Sequence, residues 1–91
     1  MIGLVSIRMK RMSWNYRIVA RKYGDDEYYY DIHEVYYDND GSIKMWTRDG
    51  VGIGGYSVEE LRSAYKMYGV AFNKPLLYWH EDEEELNEKA P

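Results

Sequence analysis

Apolar and polar positions along this chain alternate first with a period of two and later with a period of three to four, so strands are expected to precede a helix. Trp14–Tyr23 reads as the first secure strand. Trp14, Tyr16, Ile18 and Ala20 share one face of it, and Asn15, Arg17, Val19 and Arg21 share the other. Gly24-Asp25-Asp26 supplies turn residues. Tyr28–Tyr37, rich in Tyr, Ile and Val, is the second strand. Asp38-Asn39-Asp40-Gly41 is a turn, and Ser42–Arg48 is the third strand.

A type I turn with Gly41 in the left-handed position fixes a register. Asp38 then faces Ser42, Tyr37 faces Ile43, Val35 faces Met45 and His33 faces Thr47. That set is mostly apolar and is assigned to the core. The other face pairs Tyr36 with Lys44, Glu34 with Trp46, and Ile32 with Arg48, and is assigned to the open side. A slip of one residue would exchange the two faces.

Asp49–Tyr56 is a Gly-rich loop. Ser57-Val58-Glu59-Glu60 has the capping-box pattern. Val58, Leu61, Tyr65, Tyr68 and Phe72 follow as one apolar stripe, with Ala64 and Ala71 beside it, and the helix is expected to end near Asn73, before Lys74-Pro75. Residues 76–79 suit a short fourth strand. The expected fold class is therefore α+β: a three-stranded antiparallel β-meander, with that short addition, and one amphipathic helix packed on one face. Residues 12–80 form the domain. Residues 1–11 read as a leader, either from an upstream start or as an extra edge strand over Leu4–Met9. Residues 81–91 read as an acidic mobile tail.

Composition narrows the functional classes. With 91 residues the chain makes one domain. It has no cysteine, which excludes disulfide staples, thiolate zinc sites and cysteine nucleophiles. A small domain without staples points to the cytoplasm. No segment approaches the ~20 apolar residues of a membrane span. The net charge of −4 speaks against direct nucleic-acid binding. That charge is unevenly spread: residues 1–22 hold six basic side chains and no acid, while the last eleven hold six acids and one Lys.

Three local patterns carry candidate chemistry. Gly50-Val51-Gly52-Ile53-Gly54-Gly55 matches G-x-G-x-x-G ahead of a helix, so Gly52, Gly54, Gly55 and Ser57 are a candidate anion site. The dinucleotide version needs a parallel βαβ unit, which an antiparallel meander lacks, and the reading favoured is a flexible connection. Asp38–Gly41 resembles part of a calcium loop, but Tyr36 and Thr47 stand where the first and last carboxylates belong. His33 and Glu34 point to opposite faces of a strand and cannot serve one substrate together. A hydrogen-bonded, partly buried His33 is expected. No catalytic residue, cofactor or metal is assigned.

The tyrosines matter more. Tyr28, Tyr29, Tyr30, Tyr36 and Tyr37 put aromatics on both faces of one strand, and one helix covers only one face of a sheet. The uncovered face is expected to show Arg17, Ile32, Glu34, Tyr36 and Trp46, the Arg-and-aromatic mixture that interfaces concentrate.

From Met12 to Leu77 the chain resembles a widespread family of small uncharacterised bacterial and phage proteins. The resemblance rests on Trp14-Asn15-Tyr16-Arg17, the Ile32–Asp38 run, Asp40-Gly41, Trp46-Thr47, Ser57-Val58-Glu59-Glu60-Leu61 and Lys74-Pro75-Leu76-Leu77. It implies Met12 as the start and implies no activity. The leader, the 79–91 tail and the Gly-rich loop depart from the family's pattern.

The function expected is that of a non-enzymatic interaction or regulatory module acting through the open sheet face, on a protein partner or as a homodimer. The alternative is an acidic inhibitor or nucleic-acid mimic, such as a phage anti-defence protein of the anti-CRISPR type, using the Glu81–Glu85 run.

Overall fold

The computed structural model describes residues 13–91. The edge strand expected at Leu4–Met9 lies outside the described residues. Two long strands, β1 (Ser13–Gly24) and β2 (Glu27–Tyr37), pair antiparallel as a central hairpin. β3 (Ile43–Trp46) follows as an antiparallel neighbour of β2. Helix α1 (Val58–Val70) continues as a 3₁₀ turn over Ala71–Asn73, so the helical run ends at Asn73. β4 (Leu77–His80) then returns parallel to β1, and β5 (Glu85–Asn87) pairs antiparallel with β4. The strand order is β3-β2-β1-β4-β5.

The class is α+β, but the sheet is five-stranded and mixed rather than a three-stranded meander. The short fourth strand forms at Leu77–His80 and runs parallel to β1. Where the sequence reads a mobile tail, β5 buries Leu86 to 4% exposure. A single apolar side chain among six acids carries that strand, and its weak composition signal hid it.

The hairpin turn forms as expected. Gly41 adopts φ +87, its N–H donates to Asp38 O at 2.9 Å, and Asp38 N–H donates to Ser42 O at 2.9 Å. Tyr37 faces Ile43. Beyond that pair the register departs from the sequence reading. Lys44 is an extra residue in a bulge, so Tyr36 faces Met45 and Val35 faces Trp46. This one-residue shift moves Trp46 from the side of Glu34 to the side of Val35.

The sheet curls so far that it is nearly a barrel. Ile43 on β3 and Leu86 on β5 line one cleft, although their strands are four steps apart. In a flat sheet that separation would be roughly 19 Å. The inner face holds the core of Val19, Val35, Leu77 and Leu86, with Tyr37, Ile43, Trp46 and Trp79 packed against it. The outer face carries Tyr16, Ile18, Ala20 and Ile32 and receives α1.

Candidate functional site

α1 starts on a well-made cap. Ser57 Oγ accepts the Glu60 N–H at 3.1 Å, and the Glu60 carboxylate accepts the Tyr56 N–H at 2.8 Å. The return bond thus reaches one residue earlier than a capping box would place it. It also puts an internal carboxylate at the helix start, where the sequence suggested an anion beside Gly52, Gly54, Gly55 and Ser57. Gly55 is tightly placed there: a Cβ on it would sit 2.8 Å from Glu60 Cβ.

The helix then meets the sheet with the wrong part of its stripe. Tyr68 packs edge-on against Tyr16 with ring centroids 5.2 Å apart, and its hydroxyl donates to Val51 O at 2.7 Å. Ala71 is buried and Ala64 half-buried. Val58, Leu61, Tyr65 and Phe72 lie roughly a quarter turn round the helix from this contact line. They face outward: Val58 is 68%, Tyr65 67% and Phe72 70% exposed, and no residue of α1 itself is buried. The stripe read as core is therefore largely surface. Small Ala64 and Ala71 let the helix lie close to β1, and the sheet had no deep apolar face left to offer, because its best apolar residues point inward.

The residues expected on one open face are divided between two. Arg17 pairs with His33 across β1 and β2, which puts Arg17 on the inner face, and the Lys44 bulge adds Trp46 to it. Ile32, Glu34 and Tyr36 stay on the outer, helix-bearing face, with Ile32 buried. An aromatic chain runs there from Tyr36 through Trp14 and Tyr16 to Tyr68. The Tyr36 hydroxyl donates to the Glu34 carboxylate. That bond, then burial, raises the pKa of Tyr36 above its ordinary value; burial, then the Glu34 charge, raises that of Tyr16.

The inner face has two mouths. At one, Trp46 and Trp79 meet edge to face, and the Arg21 guanidinium lies 4.0 Å from the Trp79 ring centroid while pairing with Glu81. At the other lie Arg17, Tyr37 and β5. Between them His33 is 1% exposed, with Nδ1 2.8 Å from Thr47 O and Nε2 2.7 Å from Asp31 Oδ1. Both ring nitrogens are engaged and the side chain is buried, so His33 ties β2 to the chain after β3. Among the described residues no three His, Asp or Glu side chains converge as a metal site, and no helix is long and apolar enough to cross a membrane.

No protein-family model matches the chain, and no curated protein or solved structure is significantly similar to it.

Proposed function

We propose that this chain is a small non-enzymatic protein-interaction module that pairs with a second copy of itself through the exposed flank of α1. The observation that carries the reading is the outward stripe of Val58, Leu61, Tyr65 and Phe72. With Tyr68 these residues fall at alternating three- and four-residue steps, the spacing by which one helix packs along another. An antiparallel two-fold pair centred on Tyr65 sets Val58 of one copy against Phe72 of the other and Leu61 against Gly69, so each surface complements itself. Gly69, beside Tyr65 and Phe72 on that surface, has none of the described residues within 4 Å of where a Cβ would stand, so a partner helix has room to approach.

The energetics set the scale of the pairing. Fully burying a large apolar side chain gains about 1.5–3 kcal/mol. Four such side chains on each copy are already part-covered, so their remaining gain is comparable to an association cost of about 4–15 kcal/mol, and the pair is expected to be weak and reversible. A lone helix of this length is marginal in water, and α1 is held to its own sheet mainly through Tyr68 and Ala71. The alternative of an acidic inhibitor draws less support, because Glu81 pairs with Arg21 and residues 85–87 are a strand of the sheet.

The cysteine-free chain gives a direct test. Under mild oxidation Tyr65→Cys should cross-link to a covalent dimer, since the two-fold axis sets the two thiols opposite each other. Ser63→Cys, on the far side of the helix, should not. Equal cross-linking of the two, or none with Tyr65→Cys, contradicts the pairing; capture of a different protein by the same flank would replace the second copy with that partner.

A further inference from the structure

The second mouth of the curled sheet holds a buried cation that no carboxylate touches among the described residues. Arg17 is 7% exposed. Its Nη1 donates to the Tyr37 hydroxyl and its Nη2 to Pro75 O, both at 2.8 Å. Among the described residues the buried Nε has no partner. Both acceptors are neutral, and among the described residues no carboxylate lies within 4.0 Å of the guanidinium. A lysine in this position would shed its proton; an arginine stays charged. Buried charges are ordinarily paired, so a fixed one without its anion marks a place where an anion belongs.

The surroundings specify which anion. Arg17 lines a cleft of about 500 Å³ walled by Ile43, Leu77 and Leu86. Glu85 and Glu88 stand at the same cleft. Tyr37 fixes the guanidinium in place, since its hydroxyl donates onward to Asn15 Oδ1 at 2.7 Å while accepting from Arg17.

We propose that this cleft binds a monocarboxylate with an apolar body, with Arg17 taking the carboxylate. The planar guanidinium matches a carboxylate in geometry and charge. Half-buried Ile43, with the buried Leu77 and Leu86 behind it, accepts the apolar part. Glu85 and Glu88 repel a doubly charged phosphate more strongly than a single negative charge, which favours a monocarboxylate between the two. The same chemistry is offered by a small free acid and by the C-terminus of a peptide ending in an apolar residue. The site stands apart from α1 and does not depend on pairing there.

The test follows the Arg17 Nε–H resonance and the Ile43 and Leu86 amides by NMR on the full chain. The probes are sodium hexanoate, its neutral isostere hexanamide, inorganic phosphate, and a short Leu-ended peptide with a free or an amidated C-terminus. Saturable shifts with hexanoate or with the free-ended peptide, and none with hexanamide or the amidated peptide, are expected. Binding of hexanoate assigns a small acid; binding of the free-ended peptide alone assigns a protein terminus. Arg17→Met should abolish the shifts, and Arg17→Lys should weaken binding about tenfold or more. Should Arg17→Met fail to fold, the contrast between acid and amide on the unaltered chain still decides. No saturable shift with either carboxylate, hexanamide binding as tightly as hexanoate, phosphate binding more tightly, or undiminished binding by a folded Arg17→Met would overturn the proposal.

Discussion

Trp46 and Trp79 meet edge to face with ring centroids 5.6 Å apart, although β2 and β1 lie between their strands. The contact reports the curl of the sheet. It also caps the apolar core at the mouth where Arg21 stacks on Trp79.

Removing either ring should therefore cost more than its half-exposed position suggests. Trp79→Ala is expected to destabilise at the lower end of the about 3–5 kcal/mol typical of large aromatic deletions. A double-mutant cycle with Trp46→Ala should return a coupling of about 0.5–1.5 kcal/mol, measured by urea unfolding. Strict additivity would mean that the two rings do not support each other.

The C-terminal segment gives a second contrast. Leu86 is buried against Val19, Val35 and Leu77, so Leu86→Ala should cost about 2–5 kcal/mol. Glu88→Ala, two residues away and exposed, should change stability by less than about 0.5 kcal/mol. A mobile tail would make both substitutions silent.

These two sites show where the sequence was legible. Turn chemistry was readable because Asp38 and Gly41 leave little choice, and the cap at Ser57 was readable for the same reason. The Lys44 bulge was not, since no residue type demands an extra residue there, and it alone sent Trp46 to the opposite face. The pairing of Arg17 with His33 depended on where the Gly24–Glu27 turn tightened, which periodicity does not specify. The α1 stripe was read correctly as a stripe. Its exposure was hidden, because a heptad-like seam looks the same whether it packs on its own sheet or faces solvent. Leu86 was lost in a run of acids whose composition outweighed one apolar position.

Alkaline pH probes the outer face. The Tyr36 pKa is raised by its bond to Glu34 and that of Tyr16 by burial. A raised folded pKa means that the stability these tyrosines contribute is intact below the ordinary value of 10.0 and is lost as pH rises through the raised values. Tyrosinate absorbance should show these two groups titrating above 10.0. Glu34→Gln should bring Tyr36 back toward 10.0. At the hairpin the sign reverses. Asp40 is lowered below 3.8 by the Ser42 hydroxyl and then by the Ser42 N–H, so its contribution holds above that value and fades as pH falls through the lowered one. Carboxyl NMR titration of Ser42→Ala should find Asp40 nearer its ordinary value.

The central claim is that the outward flank of α1 is a self-complementary interface, and sedimentation equilibrium of the full chain beside Tyr65→Glu tests it most directly. The account predicts a reversible dimer for the unaltered chain and a folded monomer for Tyr65→Glu, whose charge would face its own copy across the two-fold axis. An unaltered chain that stays monomeric throughout the concentration series, or a Tyr65→Glu chain that dimerises as well as the original, would contradict it.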